Sequence, residues 1–222
     1  MKAETVKKLL MDLKTIVTNS HVVYASGQHG ASYINKDALY PYSRATASVC
    51  EELAHRAMQR VKNIEIVVAP AVGGVILSQW VAYFLSRFRS DILFTDVLAL
   101  YAEKDGDHFI LKRGYDKLVR GKRVLVVEDV LTSGGSAKKT VEAVRLAGGA
   151  VLLVGALCNR GGVTAHDLEV NEMFSLLEPS DLKDVDLMKY PPETCPLCAM
   201  HMPINTDVGH GAEFLAAQKS VA

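Results

Sequence analysis

The sequence lacks the features that would place the protein in a membrane or outside the cell. No apolar run approaches the roughly 20 residues that a membrane-spanning helix needs. The N-terminus shows no secretory signal pattern. Cysteine is scarce, and two of the four cysteines stand isolated in apolar segments, which is not typical of a disulfide framework. We therefore expect a cytoplasmic protein.

An excess of charge of either sign is also missing. The 25 Lys and Arg residues balance the 25 Asp and Glu residues, which argues against a nucleic-acid or membrane-surface partner attracted by bulk charge. Any phosphate binding must then depend on a local site. The 222 residues are enough for one α/β domain with its own core. Since no internal repeat or linker divides them, we expect a single domain.

The most informative stretch is a predicted strand followed by two acids and a small polar loop. Val124–Val127 is an apolar, mostly β-branched run, typical of a strand buried on both faces. Glu128 and Asp129 follow, and Thr132–Ser136 leads into a helical pattern over Ala137–Leu146. Glycines let the backbone approach a ligand, and a helix N-terminus favours an anion. The pattern predicts a phosphate site; the alternative is an ordinary strand, turn and helix with a solvated acidic pair.

The fourteen residues from Arg123 to Ser136 resemble the phosphoribosyl pyrophosphate (PRPP) motif of type I phosphoribosyltransferases. In that motif two acids hold the ribose hydroxyls, and the following loop binds the 5-phosphate. The resemblance implies catalytic roles for Glu128 and Asp129, with Asp129 holding Mg²⁺ directly or through water. The residues implied in PRPP binding are Glu128, Asp129, Val130, Leu131, Thr132, Ser133, Gly134, Gly135 and Ser136.

The same resemblance implies an α/β fold of the type I phosphoribosyltransferase kind, with a mostly parallel central sheet flanked by helices. The alternation of predicted strands and helices favours the same architecture. We expect an N-terminal helix and hood over about residues 1–40, a PRPP-binding core over about 41–162 and a C-terminal tail over about 163–222. The hood and the tail would pack over the base pocket.

A second glycine turn, Pro70–Gly74, lies between a predicted strand at Ile64–Ala69 and a predicted apolar helix at Val75–Phe88. Taken alone, a Gly-Gly pair at the end of a strand is more often a tight turn. Beside the PRPP motif, it resembles the loop that holds the diphosphate in this superfamily, at a helix N-terminus. The expected PRPP contacts in this turn are Val72, Gly73 and Gly74.

Two segments resemble orotate phosphoribosyltransferases in particular. Ser26-Gly27 and Ser32–Asn35 match the Ser-Gly turn and the base-pocket residues of that family. Many members carry Lys directly before the Ser-Gly pair, where this chain has Ala25, and Lys36 is a candidate replacement. Arg160 follows a predicted buried strand, where the family places an Arg that meets the carboxylate of the base. The implied base-binding residues are Ser26, Tyr33, Ile34, Lys36 and Arg160.

Residues 101–114 form a polar, glycine-containing excursion between two β-like pieces. Taken alone, it would be an exposed hairpin with unimportant charges. A departing pyrophosphate, however, needs cations and the exclusion of water. Orotate phosphoribosyltransferases have a basic flexible loop here, which closes over the active site of the neighbouring subunit. The resemblance implies a homodimer that shares loop 101–114, with Lys104 as the first catalytic candidate, His108 as the second, and Lys112 and Arg113 as further cations.

The C-terminal part resembles the family least. Cys195 and Cys198 form one Cys-x-x-Cys pair, which is half of a zinc site, and His201 and His210 are candidates to complete four ligands. The alternative is a reduced structural pair without metal. Upstream of it, Glu172–Leu177 is predicted to be a strand.

Hydrophobic spacing and turn residues predict the remaining elements. We expect an opening helix over residues 2–18 and a helix over about Ser43–Arg60 with Ser43 as its N-cap. Residues 21–36 indicate two short strands around a glycine turn. Ile92–Leu100 indicates another strand.

The resemblance therefore predicts transfer of the 5-phosphoribosyl group from PRPP to orotate, giving orotidine 5'-monophosphate and pyrophosphate in pyrimidine biosynthesis. No protein nucleophile is needed, because the bond from C1 to pyrophosphate breaks early and the base nitrogen attacks an oxocarbenium-like ribose. Two alternatives stay open: a phosphoribosyltransferase for a purine or uracil, and a PRPP-binding regulator without catalysis. The sequence shows no basic cluster or helix-turn-helix segment that would serve a regulator.

Overall fold

The computed structural model describes residues 1–89 and 96–219. The chain divides into two compact units. The sheet unit comprises Met1–Val6 and Tyr40–Asp181, and the terminal unit comprises Lys7–Leu39 and Leu182–Ala222. The single domain with a hood stays a prediction. No helix in the described part of the chain combines the length with the hydrophobicity that a bilayer span requires.

Seven helices and ten strands are assigned in the described residues, with three short 3-10 turns. The helices are α1 Ala3–Asp12, α2 Ser43–Arg60, α3 Val75–Phe88, α4 Tyr115–Val119, α5 Gly135–Leu146, α6 Pro196–Ala199 and α7 Gly211–Lys219. The strands are β1 Ile16–Val17, β2 Val22–Val23, β3 His29–Gly30, β4 Tyr33–Ile34, β5 Ile66–Pro70, β6 Leu98–Asp105, β7 His108–Ile110, β8 Arg123–Leu131, β9 Ala150–Asn159 and β10 Met173–Leu177. The 3-10 turns are Lys36–Ala38, Pro179–Leu182 and Pro192–Thr194.

The sheet unit contains a six-stranded sheet in the order β10-β9-β8-β5-β6-β7. All neighbouring strands are parallel except β7, which forms an antiparallel hairpin with β6. β5 is buried along its whole length, and β8 is buried from Val124 to Asp129, as expected for strands covered on both faces. The predicted α/β fold with a mostly parallel sheet is confirmed.

Helices cover both faces of this sheet. Val124 and Val126 of β8 belong to a buried cluster with Val141 and Val144 of α5. Because successive strand residues point to opposite faces, the fully buried Leu125 faces the other side, where α2 and α3 pack on the strands. Each buried side chain of this size contributes about 1.5–3 kcal/mol relative to exposure, so the sheet has a large apolar source of stability.

The connections of the sheet reverse their direction between β5 and β8. The chain leaves β5 through α3 toward β6 on one side, whereas β8 continues through α5 to β9 on the other side. β5 and β8 pair only as far as Val68 and Val126, and β8 continues beside β9 to Leu131. In open α/β sheets, ligands bind outside the carboxyl ends of the strands at such a switch point. The acid pair and both glycine turns lie at this edge.

The strands of the terminal unit form short antiparallel pairs. β2 pairs with β3, and β1 pairs with β4. The predicted pair of strands around a glycine turn is found here, with Gly27 at a φ of 79° between β2 and β3. Backbone hydrogen bonds join the two chain segments of the unit: His29 and Tyr190 exchange two, of 2.8 and 2.9 Å, and the N–H of Asn205 donates to the carbonyl of His21 over 2.8 Å.

The structure corrects two predicted boundaries. α1 ends at Asp12 rather than near residue 18, because Lys14 adopts a φ of 55° and the N–H of Thr15 donates to the carbonyl of Leu10 over 2.8 Å, as in a Schellman motif. Ser43 is the first residue of α2 rather than its N-cap, and Tyr42 occupies the cap position without a side-chain hydrogen bond.

The other predicted elements are found with small shifts. The helices over Ser43–Arg60 and Val75–Phe88 have the predicted bounds, and the predicted strand at Glu172–Leu177 begins one residue later. The predicted strand over Ile92–Leu100 lies partly outside the described residues, and its described part belongs to β6 from Leu98.

Candidate active site

Two buried carboxylates occupy the carboxyl-terminal part of β8. The residues Glu128 and Asp129 are only 5 % and 6 % exposed. Glu128 Oε1 accepts the N–H of Asp129 over 3.0 Å, and Asp129 Oδ1 accepts the N–H of Val130 over 2.6 Å. These bonds hold each carboxylate beside the backbone. Two hard oxygen donors at the switch point suit sugar hydroxyls or a hydrated divalent cation.

The loop that follows the acids has the properties of an anion site. Gly134 adopts a φ of 76°, which is the left-handed conformation that glycine takes without strain. A Cβ at this position would lie 2.9 Å from Leu168 Cδ2, so space and backbone both require glycine. Within the described chain, the amides of Ser133 and Gly134 donate to no protein acceptor. Amides without acceptors at the start of α5 favour a phosphate.

A small cavity lies inside this loop. Its volume is about 150 Å³, and the hydroxyl-bearing residues of the loop are exposed to solvent. The residues that line the cavity are Glu128, Val130, Leu131, Thr132, Ser133, Gly134, Gly135 and Ser136. The structure thus brings most of the predicted PRPP-binding residues of β8 and its loop around one opening.

The turn after β9 supports the loop from one side. The N–H groups of Arg160 and Gly161 both donate to the carbonyl of Leu131, over 2.9 and 3.0 Å. A Cβ on Gly161 would overlap the carbonyl oxygen of Thr132, so the two backbones approach as closely as only glycine permits. Asn159 fixes the same turn by exchanging hydrogen bonds of 2.8 and 2.9 Å with the backbone of Val163. Arg160 is thereby placed, half-buried, at the carboxyl edge of the sheet.

Cys158, next to Arg160, is not a candidate nucleophile. Burial raises the pKa of its thiol to about 12, although the nearby Arg160 lowers it in part. At neutral pH this cysteine is therefore a thiol rather than the reactive thiolate.

The turn after β5 is more tightly packed than the loop after β8. The N–H of Gly74 donates to the carbonyl of Pro70 over 3.0 Å, and a Cβ at Gly74 would lie 2.7 Å from the Cβ of Ala69. The structure thus gives Gly74 a packing role beside its predicted PRPP contact. Val72 is 86 % exposed, and the peptide bond before it is cis.

Sequence reasoning missed Tyr40 at this turn. The hydroxyl of Tyr40 donates to the carbonyl of Gly73 over 2.7 Å. The bond fixes the orientation of the turn from a residue that lies 33 positions earlier in the chain. No local motif around Tyr40 signals this partner.

The hairpin of β6 and β7 carries the predicted catalytic cations. Lys104 pairs with Phe109 in the strand register, and both Lys104 and His108 are exposed. Lys112 lies 3.6 Å from Asp105, and Arg113 lies 2.9 Å from Glu103. Among the described residues, Lys104 has no ion pair or hydrogen bond through its side chain. Lys104 is thus the hairpin lysine whose charge remains available for a ligand.

The predicted base-binding residues are divided between the units. Arg160 belongs to the sheet unit, and the others belong to the terminal unit. Tyr33 is half-buried, whereas Ile34 is only 7 % exposed, as expected for neighbours on a strand. Ser26 is exposed, and Lys36 Nζ lies 3.1 Å from Asp37 Oδ1.

A second tyrosine of the terminal unit also escaped the sequence reasoning. Tyr24 stacks on Tyr33, with ring centroids 6.4 Å apart and an interplanar angle of 25°. Its hydroxyl donates to the carbonyl of Ser32 over 2.6 Å. Tyr24 therefore fixes the ring and the backbone of the segment predicted to meet the base.

The structure regroups the predicted metal-ligand candidates, and metal binding itself stays a prediction. Cys195 and Cys198 lie together, but their neighbours are His21 and His29. His201 and His210 are exposed and do not belong to this group. Proximity along the chain was misleading, because the two chain segments of the terminal unit meet through tertiary hydrogen bonds rather than through local spacing.

Comparisons with known proteins agree with this geometry. The family model described as "Phosphoribosyl transferase domain" matches residues 42–183. The orotate phosphoribosyltransferase of Caldanaerobacter subterraneus subsp. tengcongensis is 32% identical over 204 residues, which cover 92% of this chain and 96% of the relative. That of Thermotoga petrophila is 35% identical over 197 residues, covering 88% and 94% of the two chains.

The chain belongs to the orotate phosphoribosyltransferase family. Membership extends beyond the sheet unit, because the curated relatives align with most of the terminal unit as well. A crystal structure of the Aeropyrum pernix orotate phosphoribosyltransferase matches with a TM-score of 0.61 at 22% identity, covering 81% of this chain and 97% of that chain. That likeness confirms the fold of the family.

Proposed function

We propose that this protein transfers the 5-phosphoribosyl group of PRPP to a ring nitrogen of orotate, releasing pyrophosphate and forming orotidine 5'-monophosphate. The observation that carries the proposal is the buried acid pair followed by an open anion loop at the switch point of the sheet. Membership in the family supports orotate as the acceptor. The product would serve pyrimidine biosynthesis.

The acids and the loop would position PRPP. Glu128 and Asp129 accept the ribose hydroxyls, and the amides and hydroxyls of Thr132–Ser136 bind the 5-phosphate. Fixing the phosphate and the hydroxyls at once leaves the reacting carbon little freedom. Such positioning is a large part of catalysis when a substrate must be held in a reactive geometry. In this arrangement the carboxylates would also stabilise the positive charge that develops on the ribose.

The same carboxylates fit a magnesium ion. Mg²⁺ prefers oxygen ligands and binds through one or two carboxylates together with substrate phosphates. Asp129 is the residue that would hold the ion, directly or through water, with Glu128 beside it. When bound, the ion would neutralise charge on the diphosphate.

Departure of the pyrophosphate requires further positive charge. Lys104 is proposed to meet the diphosphate because its ammonium group has no carboxylate partner in the described chain, unlike those of its neighbours in the hairpin. His108, which faces Asp105 in the strand register, is the second candidate. Val72, Gly73 and Gly74 would contact the diphosphate from the turn after β5. In the proposed homodimer, loop 101–114 would be shared across the interface.

Recognition of orotate is assigned to Arg160. Its guanidinium can bind a carboxylate bidentately, and its backbone is anchored on the strand that carries the acids. The other proposed base contacts are Ser26, Tyr33, Ile34 and Lys36. Ala25, which is exposed beside Ser26, occupies the position where many members of the family carry Lys. Because of this difference, transfer to another base is the second candidate function.

The loss of orotate absorbance tests the proposal. Purified protein is mixed with orotate, PRPP and Mg²⁺, and matched reactions omit Mg²⁺ or PRPP. We expect orotate to be consumed only when all three are present. If orotate is untouched while a purine or uracil drives pyrophosphate release, the base assignment is wrong. If PRPP binds but no base releases pyrophosphate, the protein is a regulator rather than an enzyme.

A further inference from the structure

Two histidines and two cysteines meet inside the terminal unit. His21 Nε2 lies 2.9 Å from His29 Nδ1. Cys198 Sγ lies 3.6 Å from His21 Nε2 and 3.3 Å from His29 Nδ1. Cys195 Sγ lies 3.8 Å from His21 Nε2. All four potential ligand atoms are within 4.8 Å of one another.

These distances are close to those of a tetrahedral zinc site. Zinc lies about 2.3 Å from a thiolate sulfur and about 2.0–2.1 Å from an imidazole nitrogen, so tetrahedral ligand atoms are about 3.4–3.8 Å apart. The three sulfur–nitrogen distances of 3.3, 3.6 and 3.8 Å fall in or beside that range. Among these four distances, the one between the two nitrogens, 2.9 Å, is the shortest and would have to increase by about 0.4 Å.

Backbone contacts bring the four side chains together. Cys195 precedes α6 and Cys198 lies within it, so one helical turn brings both sulfurs together. His29 is fixed in β3 by its paired hydrogen bonds to Tyr190. His21 precedes β2 and accepts a backbone hydrogen bond from Asn205. The group is therefore built by the fold of both chain segments.

The surroundings of the imidazoles also suit a metal. His21 Nδ1 lies 2.7 Å from the carbonyl of Met202, so it carries the proton and leaves the lone pair of Nε2 for a ligand. This is the usual outer-shell arrangement of a metal-binding histidine. His29 is fully buried, and in the described chain its Nε2 has no hydrogen-bond partner. Metal binding through Nδ1 would replace the hydrogen bond of this buried ring to His21 Nε2 with a metal–ligand bond.

We propose that His21, His29, Cys195 and Cys198 bind one zinc ion that joins the two chain segments of the terminal unit. Four protein ligands leave no open position, which is typical of a structural rather than a catalytic zinc site. Binding deprotonates the two thiols, whose protons pass to solvent, and changes no oxidation state. Because His21 and Cys195 are 174 positions apart, the ion would close a very long loop.

Two other states would explain the same proximity. A metal-free cluster could be held by the hydrogen bond between the two imidazoles. Alternatively, Cys195 and Cys198 could form a disulfide, which would remove both sulfur ligands. Both states predict a protein without zinc, so metal content distinguishes them from the proposal.

The first experiment measures metal in the full chain, purified without a polyhistidine tag under reducing conditions. We expect one zinc per chain by elemental analysis. Exchange for Co²⁺ should give the visible bands of a tetrahedral site and a thiolate charge-transfer band. X-ray absorption of the unmodified zinc protein should show two sulfur and two nitrogen neighbours, and this measurement does not depend on any variant folding.

Matched histidine variants locate the site. His21→Gln and His29→Gln should lose at least about 90 % of the zinc or bind it more than 10-fold more weakly, since each removes one of four ligands. His201→Gln and His210→Gln, which change the exposed histidines of the same unit, should retain one zinc. Cys195→Ser and Cys198→Ser should each abolish the tetrahedral cobalt spectrum.

Three results would overturn the proposal. The first is a reduced, folded protein that binds neither Zn²⁺ nor Co²⁺. The second is a mass lower by two hydrogens that maps to a Cys195–Cys198 disulfide. The third is equal zinc loss in the His201→Gln and His29→Gln variants. None of these outcomes depends on the transferase reaction, so the zinc site can fail while the proposed function stands.

Discussion

The sheet unit and the terminal unit are stabilised in different ways. The sheet unit has long parallel strands whose alternate side chains fill an apolar core between helices. In the terminal unit the strands are only two residues long, and two distant chain segments must be held together. Small units with little core usually depend on disulfides or metals. A cross-link between chain segments would therefore stabilise the terminal unit more than the sheet unit, which its apolar core already stabilises.

The two candidate cation sites follow the same division. The sheet unit offers buried carboxylates, which suit Mg²⁺ and its exchange with substrate phosphates. The terminal unit offers sulfur and nitrogen donors, which suit a tightly held zinc ion. A cation needed for turnover and a cation needed for folding are therefore expected in different units.

The largest effect is expected from the variant Asp129→Asn in the sheet unit. The amide keeps an oxygen that can accept the N–H of Val130, so the fold should be retained, but the negative charge is lost. We expect kcat/KM for PRPP to fall about 10²–10³-fold, measured by orotate absorbance. Zinc content should be unchanged, which separates the two sites.

The control is Glu172→Gln, which removes a carboxylate just before β10, at the amino edge of the sheet. Glu172 is ion-paired with Arg60 at 3.3 Å and lies away from the carboxyl edge where ligands bind. Its kcat/KM should remain close to that of the unmodified protein. Equal activity of Asp129→Asn and Glu172→Gln would contradict the role assigned to Asp129.

The β8 site was predictable because its parts are contiguous in the sequence. An apolar strand, two acids, a glycine turn and a helix follow one another, and each part has a local physical meaning. The parallel sheet follows from the same alternation. The hydrogen bond from Tyr40 to Gly73 was not predictable, because it joins residues that only the tertiary fold brings together.

The proposed zinc ligands show more clearly that contacts between distant residues cannot be predicted from local sequence. The Cys-x-x-Cys pair is local and was found, whereas its histidine partners lie near the other end of the chain. A search by spacing selects His201 and His210, since nothing local shows that β3 lies beside Tyr190. The N-cap of α2 was predicted one residue too late, at Ser43 instead of Tyr42. Helix ends are commonly uncertain by one or two residues, and here no side chain caps the helix.

The second-largest effect is expected on the stability of the terminal unit after zinc is removed. Chelation should raise amide exchange at His29 and Tyr190 about 10–100-fold, because the ion would connect their chain segments. The amide of Val126 in β8 should exchange as before, since an apolar core protects it. Mass spectrometry of exchanged peptides measures both regions together. An equal increase in amide exchange in both units after chelation would contradict the idea that only the terminal unit depends on the metal.

A smaller effect is expected from neutral substitution of the hairpin lysines. Lys104→Gln should lower kcat by about 10-fold, because a cation that stabilises the departing pyrophosphate is lost. Lys112→Gln is the matched control, and its effect should be weaker because Asp105 already neutralises that charge. Steady-state kinetics at saturating PRPP measures both. Equal losses would show that the net charge of the hairpin matters rather than Lys104 itself.

The smallest effect concerns a carboxylate that connects β5 and β8. Glu65 accepts the backbone N–H of Arg123 and the ammonium of Lys122, each over 3.0 Å. These hydrogen bonds, the backbone one first, lower the pKa of Glu65 in the folded protein. Its stabilisation is therefore complete above the unfolded-state pKa of about 4.3 and disappears as the pH falls through the lower folded-state pKa.

Glu65→Gln should thus lower the free energy of unfolding by about 0.5 kcal/mol at neutral pH, and the difference should vanish in acid. Urea denaturation at a series of pH values measures it. Glu169→Gln, which breaks the more exposed pair with Lys138, should have a smaller effect. Because the sheet unit has a large apolar core, the loss of a single surface contact should cost it little. A large loss of stability from Glu65→Gln would instead show that the sheet unit, like the terminal unit, depends on a single cross-link.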